Sequence, residues 1–255
     1  MIRGLYTAAS GLTAQQQKLD ITSNNLANVA TNGFKKDTTA NSSFFESLIE
    51  RQDHTEQSSV KRQVYVGKLD QGTTIEEVLP YLGAGFLQQT QTDSDLAIDG
   101  EGFFSIQDPG GSLYYTRDGA FKLDNDGYLA TVSGDKVLGE NGPLQLVEKG
   151  FKVLEDGSVV AASGTLVDKL LIVNLDRKNL KRTGQINFVA LDGTKPAAVV
   201  KPELRQGYLE SSNVNTADEM VNLIEVHRLY QVNQRLLRAE DEMLEKAVSQ
   251  IGVVK

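Results

Sequence analysis

The residues best placed to do chemistry are the carboxylates of a short acidic turn, Asp124-Asn-Asp-Gly127. Clustered carboxylate oxygens suit calcium, but a helix-loop-helix calcium loop ends on a glutamate at its twelfth position. Counted from Asp124, that position is Asp135. Aspartate and asparagine followed by glycine are also typical of tight hairpin turns. The pattern therefore predicts a hairpin turn rather than a calcium site.

A second acidic run could supply paired carboxylates for acid–base catalysis. Its acids alternate with Leu96 and Ile98 and are Asp93, Asp95, Asp99 and Glu101. Such alternation is typical of a strand with one face in solvent. We therefore predict that these acids lie on the solvent side of a strand.

The chain has two histidines and no cysteine. His54 lies in a polar stretch, and His227 lies one helical turn from Leu223, so we predict that His227 packs in a seam rather than binds a metal. Without cysteine there is no disulfide framework and no thiolate site. We predict no catalytic residue, no metal ligand and no cofactor.

Composition excludes several partners. The chain has 255 residues, is 40% hydrophobic and carries a formal net charge of -8. Its lysines and arginines are scattered, which argues against binding to nucleic acid. No apolar run approaches the roughly 18 residues of a membrane span, so we expect no direct membrane insertion.

Helical periodicity marks both ends of the chain. Leucines recur every seven residues near the N-terminus, at Leu5, Leu12, Leu19 and Leu26, and a second heptad line is Leu223, Tyr230, Leu237, Leu244 and Ile251. This spacing places each set on one side of a helix. Asn32-Gly33 is predicted to end the first helix, and the capping box of Thr216 and Glu219 to begin the second. The stripes are equally consistent with an intrachain core and with a seam between subunits, and a helix with several neighbours can take part in both.

Three asparagines crowd the end of the first helix: Asn24, Asn25 and Asn28. They are consistent with an exposed, frayed helix end. They are also consistent with amides that bond across neighbouring helices, since a buried amide must find partners.

The middle of the chain has the shorter period of strands. Asp-Gly and Asn-Gly dipeptides recur among short apolar runs from about Val64, which predicts antiparallel strands. Residues 42–51 are predicted as a short helix and residues 52–62 as a polar loop. The predicted fold is α+β, with long N- and C-terminal helices packed as a coiled-coil-like pair and an inserted antiparallel β-rich domain. The predicted domains are residues 1–36 with 207–255, a connecting segment 37–80, and the β-rich domain 81–206.

Four motifs stand out, two toward the ends of the chain and two in its middle. The terminal motifs are Ser23-Asn-Asn-Leu-Ala-Asn-Val-Ala-Thr-Asn-Gly-Phe-Lys35 and Gly207-Tyr-Leu-Glu-Ser-Ser-Asn-Val-Asn215, and the latter continues through Met220 to Asn233. The middle motifs are Asp95-Leu-Ala-Ile-Asp-Gly-Glu-Gly-Phe-Phe104 and Tyr115-Thr-Arg-Asp-Gly-Ala-Phe121. Together they resemble motifs of the bacterial flagellar rod and hook axial proteins. The length of the chain and its middle motifs are most similar to those of the distal rod proteins, followed by the proximal rod and hook-like proteins.

The resemblance implies a structural, non-enzymatic subunit of the flagellar basal body. It implies self-assembly into a helical tube that transmits torque and allows export through its channel. It also implies contacts with other rod and hook proteins, with the export apparatus and with ring proteins around the rod. The resemblance favours contact roles for the three asparagines, and we predict that they and both heptad lines form subunit interfaces.

Overall fold

In chain order, two long helices flank a series of short strands. The structure is a computed structural model that describes residues 2–43, 46–53, 62–70, 72–146, 150–191, 196–199 and 202–251. Helix α1 spans Ile2–Ala27 and helix α2 spans Thr216–Ile251. The predicted α+β arrangement of two terminal helices and an antiparallel β-rich middle is confirmed. No helix in the described ranges is long and apolar enough to cross a lipid bilayer.

The strands between the helices are mostly three or four residues long. In chain order they are β1 Asp37–Ser43, β2 Glu46–Asp53, β3 Arg62–Asp70, β4 Thr73–Pro80, β5 Leu87–Gln89, β6 Leu96–Ile98, β7 Phe103–Gln107, β8 Leu113–Thr116, β9 Phe121–Leu123, β10 Leu129–Thr131, β11 Lys136–Gly139, β12 Gly142–Pro143, β13 Phe151–Val153, β14 Ser158–Ala161, β15 Leu166–Lys169, β16 Ile172–Asn174, β17 Leu180–Thr183, β18 Asn187–Ala190, β19 Ala197–Ala198, β20 Leu204–Gln206 and β21 Tyr208–Glu210. A 3-10 turn, Arg177–Asn179, precedes β17.

The chain divides into two compact units. Unit 1 consists of Met1–Asn24, Thr38–Val78 and Ala217–Lys255, and unit 2 consists of Asn25–Asp37 and Leu79–Thr216. Unit 1 therefore holds most of both long helices together with the paired strands β2 and β3. The domain boundaries after residues 36, 80 and 206 stay a prediction.

Unit 2 is built around one large antiparallel sheet. In the described residues its main strand order is β17-β18-β8-β7-β11-β10-β9, and β12, β16 and β19 pair at its sides. The Asp124–Gly127 segment closes the hairpin β9–β10, since Asp124 N donates to Tyr128 O at 2.8 Å and Gly127 has a φ of 80°. The predicted hairpin turn is thus confirmed.

Two local predictions are wrong. Residues 46–51 of the predicted helix 42–51 belong to strand β2, together with residues 52 and 53 of the predicted loop. Strand β2 pairs along its whole length with β3, a partner that helical periodicity does not reveal. The other residues of the predicted polar loop, 54–61, lie outside the described residues together with His54. The predicted end of α1 at Asn32-Gly33 is also wrong. The helix ends at Ala27, and hydrogen-bonded turns lead from there to Gly33, whose φ of 67° is left-handed.

The acidic run follows the prediction only in part, since Asp93 and Glu101 are exposed but Asp95 is buried. Asp95 is only 9% exposed, and all three residues of β6 are buried. Strand β6 pairs with β20 on one edge, and Leu96 N donates to Gly119 O at 3.0 Å on the other. A Cβ at Gly119 would lie 1.6 Å from Leu96 O, so only glycine permits this approach. Alternation failed as a guide because both faces of this short strand are covered.

Candidate assembly site

The heptad positions of α2 form a half-buried stripe in unit 1. Leu223, Tyr230, Leu237 and Leu244 are each partly covered, whereas the side chain of Ile251 lies outside the described residues. Positions three residues further along complete the stripe and are mostly small or polar: Val226, Asn233, Glu240 and Ala247. Because these four positions are mostly small or polar, a seam between only two helices would be poorly filled. The apolar side chains of the stripe are therefore left partly exposed and can make further contacts.

Helix α1 buries small side chains instead of its leucines. The heptad leucines are all half-buried: Leu5, Leu12, Leu19 and Leu26. The positions buried on this helix within unit 1 are Ala8, Ala14 and Thr22. The leucine line thus lies beside the packed face, and its role between subunits stays a prediction.

Glycines allow α1 to approach α2 closely within unit 1. A Cβ on Gly4 would lie 2.7 Å from Glu240 Oε1, and one on Gly11 would lie 3.2 Å from Asn233 Nδ2. As residue numbers rise along α1, the facing numbers fall along α2, so the helices are antiparallel at these points. A glycine in a helix costs about 1 kcal/mol relative to alanine, a cost that close approach offsets.

A second set of apolar side chains on α2 is exposed. It consists of Met220, Val221, Ile224, Leu229, Val232, Leu236, Met243 and Val248, with exposed fractions from 48% to 72%. Extensive exposed apolar surface is typical of an interaction site. His227, predicted to pack in the seam, is instead exposed, and its Nε2 lies 2.9 Å from Gln231 Nε2.

The three asparagines have different environments. Asn25 is 3% exposed, and its amide bonds both backbone groups of Asp37: Nδ2 donates to Asp37 O at 3.0 Å and Oδ1 accepts from Asp37 N at 2.9 Å. Asn28 is also buried, and its Oδ1 accepts a hydrogen bond from Thr31 at 3.2 Å. Asn24 is exposed. Asn25 and Asn28 therefore stabilise the turn that follows α1, and any role between subunits stays a prediction.

Lys35, Arg117 and Glu210 form a buried ionic cluster in unit 2. Glu210 Oε1 accepts from Lys35 Nζ at 2.5 Å, and Glu210 Oε2 accepts from Arg117 Nη1 at 3.2 Å. The side chains of Lys35 and Glu210 are each 1% exposed, and that of Arg117 is 5% exposed. The loop backbone completes the cluster: Gly85 N donates to Glu210 Oε1 at 2.8 Å, and Lys35 Nζ donates to Gly83 O at 2.9 Å.

Burial governs the charges of this ionic cluster. Loss of solvation lowers the pKa of Lys35 and of Arg117 below the ordinary values, although attraction to Glu210 acts in the opposite direction on both. Glu101 also attracts Arg117, but more weakly than Glu210 does. Two cations thus share one carboxylate in direct contact. Because buried charges are costly when unpaired, the cluster depends on Glu210 more than on either cation.

Arg182 fastens the segment after α1 to the sheet. Its Nη2 and Nε donate to Asp37 Oδ1 at 2.9 and 3.2 Å, and Nη2 also donates to the backbone oxygen of Lys35. The guanidinium lies 4.8 Å from the ring centroid of Phe34 and 4.9 Å from that of Phe188. A planar guanidinium suits this combination of ion pair and ring contact, which lysine cannot reproduce.

Asn213 joins three segments next to the ionic cluster. Its Oδ1 accepts from Lys36 N at 2.8 Å, and its Nδ2 donates to Tyr81 O at 2.8 Å and to Gly83 O at 2.9 Å. The residues that follow α1 are therefore bonded to those that precede α2 and to the loop before β5.

The same loop presents an exposed aromatic residue. Phe86 is 87% exposed, although its backbone oxygen accepts a hydrogen bond from Ser211 N at 2.8 Å. A Cβ on Gly85 would lie 1.9 Å from Ser211 O, so the loop is packed closely against this segment. A fixed loop with an uncovered phenylalanine is the arrangement of a contact residue.

Sequence patterns assign no role to Lys35, Arg117 or Glu210. Each nevertheless lies in one of the motifs quoted above, among apolar residues and glycines. A charged residue in such a setting is a signal of a buried ion pair, since an isolated charge is almost never fully buried. Which charges meet depends on contacts between distant segments.

Three family profiles match separate parts of the chain. They are described as Flagella basal body rod protein, residues 5–35; Flagellar hook protein FlgE/F/G D1 domain, residues 97–161; and Flagellar basal body rod FlgEFG protein C-terminal, residues 205–251. Each matched range contains one member of the ionic cluster: Lys35, Arg117 and Glu210, respectively.

In the described residues, no group of three His, Asp or Glu side chains is arranged to hold a metal ion.

Curated relatives match the chain over almost its whole length. Flagellar basal-body rod protein FlgG of Buchnera aphidicola subsp. Acyrthosiphon pisum is 35% identical, with 96% of this chain and 98% of the relative covered. FlgG of Bacillus subtilis is 33% identical, with 98% and 99% covered. Flagellar basal-body rod protein FlgF of Caulobacter vibrioides is 31% identical, with both chains covered completely at 100%.

Proposed function

The chain belongs to the flagellar basal-body rod protein family, and from this premise we propose that it builds the distal part of the rod as a helical polymer of identical subunits. It is a structural subunit of the basal body. The assignment to the distal part is supported by FlgG relatives that are matched along 98% or more of their length. In this role the polymer is a tubular shaft that transmits torque from motor to hook, and exported chains pass through its channel.

The observation that carries the proposal is the incomplete burial of the terminal helices. The contacts between subunits are assigned to Leu5, Leu12, Leu19, Asn24, Asn25, Leu26, Asn28, Leu223, Tyr230, Leu237, Leu244 and Ile251. Each leucine side chain removed from water at such a contact contributes about 1.5–3 kcal/mol. Different patches of successive subunits meet in a heterologous interface, which grows into a filament instead of closing.

The same proposal assigns a different role to each segment of the chain. In this proposal residues 1–36 and 207–255 polymerise as a coiled-coil-like pair, residues 81–206 are the β-rich part, and residues 37–80 connect them. The ionic cluster of Lys35, Arg117 and Glu210 supports this role because it ties the segment after α1 to the segment before α2. Torque carried by the helices would load these two segments first.

The partners follow from assembly in the basal body. Besides copies of itself, the chain contacts other rod and hook proteins, and its path to the rod uses the flagellar export apparatus. Ring proteins that surround the rod are further partners. The role is non-enzymatic, in keeping with a family of structural proteins.

The substitution Leu19→Asp tests the proposal. We expect a strain that relies on this variant to lose rods and motility, because a charge on the half-buried leucine line cannot be desolvated at a subunit contact. Electron microscopy of basal bodies and swimming assays provide the measurement. Leu166→Asp, on an exposed leucine of β15 in unit 2, is the matched control. Normal rods from Leu19→Asp, or small closed oligomers of the unmodified chain, would contradict the proposal.

A further inference from the structure

We infer that the outer face of α2 between Arg228 and Leu236 docks into an acidic groove between α1 and β4 of a second copy of the chain. The inference rests on the proposed function, since it supplies a contact that propagates the polymer. It concerns surfaces that the heptad stripes do not include. Both surfaces belong to unit 1.

The docking face combines apolar and basic side chains. Leu229, Val232 and Leu236 are 51%, 55% and 48% exposed, and the exposed Arg228 and Arg235 lie beside them. Their spacing places all five on the side of α2 away from the half-buried stripe. The helix can therefore contact α1 in its own chain and a second copy at the same time.

Charge singles out this part of α2. Residues 226–239 contain Arg228, Arg235 and Arg238 and no aspartate or glutamate. Acids dominate before and after this stretch, and the whole chain has a formal net charge of -8. A basic surface on an acidic protein has complementary surfaces on copies of the same protein.

The groove provides such a surface. It has a volume of about 280 Å³ and lies between the α1 residues around Ile21 and the strand β4. Its lining combines three acids with three apolar residues and includes Asp20, Ile21, Ile75, Glu76, Glu77 and Val78. The three acids are exposed, and Val78 is 46% exposed. The carboxylates suit the two arginines, and the apolar lining residues suit the leucines and valine of the docking face.

The two surfaces have the pattern of a helix seated in a groove. Helices that bind in this way use apolar residues at positions i, i+3 or i+4 and i+7, which Leu229, Val232 and Leu236 provide. Because the face and the groove are different patches, each copy can give one and receive the other. The contact therefore repeats along a filament.

Cysteine cross-linking tests the contact directly, because the native chain has no cysteine. The full chain with both Val78→Cys and Val232→Cys replaces the native protein in cells, and purified basal bodies are oxidised. We expect a ladder of dimers and higher multimers, whereas each single variant gives no ladder. Val78→Cys with Val248→Cys is the matched control, since Val248 is 72% exposed but lies outside the docking face.

Charge reversal provides the second arm. Two paired variants reverse the charge of one surface each: Arg228→Glu with Arg235→Glu, and Glu76→Lys with Glu77→Lys. We expect each pair to lower incorporation into rods at least about tenfold, and we expect the four changes together to restore incorporation. Glu242→Lys with Glu245→Lys, an exposed acidic pair elsewhere on α2, should have no such effect.

The outcomes separate the inference from the proposed function. Absence of the unmodified chain from the rod would overturn the proposed function. If the variant with Val78→Cys and Val232→Cys forms normal rods but gives no ladder on oxidation, or only disulfides within single chains, the docking contact is overturned and the proposed function is left intact. The docking contact is also wrong if the fourfold variant assembles as poorly as either pair, because the basic face then binds another protein.

Discussion

Phe103, Phe104 and Phe188 in unit 2 are at most 2% exposed, whereas the heptad leucines of unit 1 are only half-buried. Unit 2 closes its hydrophobic core within the chain, around residues such as Ile106 and Leu129 at 0% exposure. On α1 within unit 1, the buried positions among the described residues are the small side chains of Ala8, Ala14 and Thr22. The two units thus differ in how much apolar surface the single chain can remove from water.

This difference concerns the source of stability of each unit, which is either contacts within one chain or, in addition, contacts between subunits. Helices gain most of their stability from packing against an apolar face. In unit 2 the buried core residues pack against one another within one chain, although side chains such as Phe86 and Leu166 are exposed. In unit 1 the packing of α1 and α2 leaves apolar side chains exposed, and under the proposed function neighbouring copies cover them. A subunit whose helices become fully ordered only at the end of a growing polymer is protected from polymerising early.

The largest expected effect comes from Glu210→Gln. It leaves Lys35 and Arg117 buried without a carboxylate in contact, and we expect unit 2 to lose about 3–5 kcal/mol of unfolding free energy. Denaturant unfolding combined with hydrogen exchange would locate the loss in residues 79–216. Lys35→Met is the matched control and should cost less, because Arg117 still pairs with Glu210. An equal loss in both variants would show that the carboxylate has no special place in the cluster.

A pair of leucine truncations sharpens the comparison of the units. Leu129→Ala removes a fully buried side chain of unit 2 and should cost about 2–5 kcal/mol in the isolated chain. Leu237→Ala acts on a half-buried residue of α2 and should cost less in the isolated chain but lower incorporation into rods. Equilibrium unfolding and counts of complete basal bodies measure the two effects. A Leu237→Ala cost as large as that of Leu129→Ala would mean that unit 1 is already complete by itself.

The smallest expected change in stability is that of Phe86→Ser. Its side chain is 87% exposed, so the unfolding free energy should change by less than about 0.5 kcal/mol. Rod assembly should nevertheless be impaired, because an aromatic side chain on a fixed loop is suited to a subunit contact. Leu123→Ser, at 36% exposure on strand β9, serves as the control. Unimpaired assembly with Phe86→Ser would remove this loop from the interface.

Periodicity predicted the long elements well and the short ones poorly. Both terminal helices and the Asp124–Gly127 turn follow from local patterns, since their hydrogen bonds are formed between residues close in sequence. Strand β2 was predicted as a helix because its partner β3 lies across a connection that has no signature of its own. Asp95 was predicted in solvent because alternation does not report whether the second face of a strand is covered.

Local sequence was enough to predict the elements whose contacts lie between near neighbours: two amphipathic terminal helices, a hairpin turn of the middle, and the motifs shared with relatives. Only the tertiary structure decided that Lys35, Arg117 and Glu210 meet in one buried cluster, that Asn25 holds Asp37, and that the leucine stripes stay half-covered. These contacts join segments far apart in the chain. Their energies depend on desolvation and on the approach of distant surfaces, which no local pattern encodes.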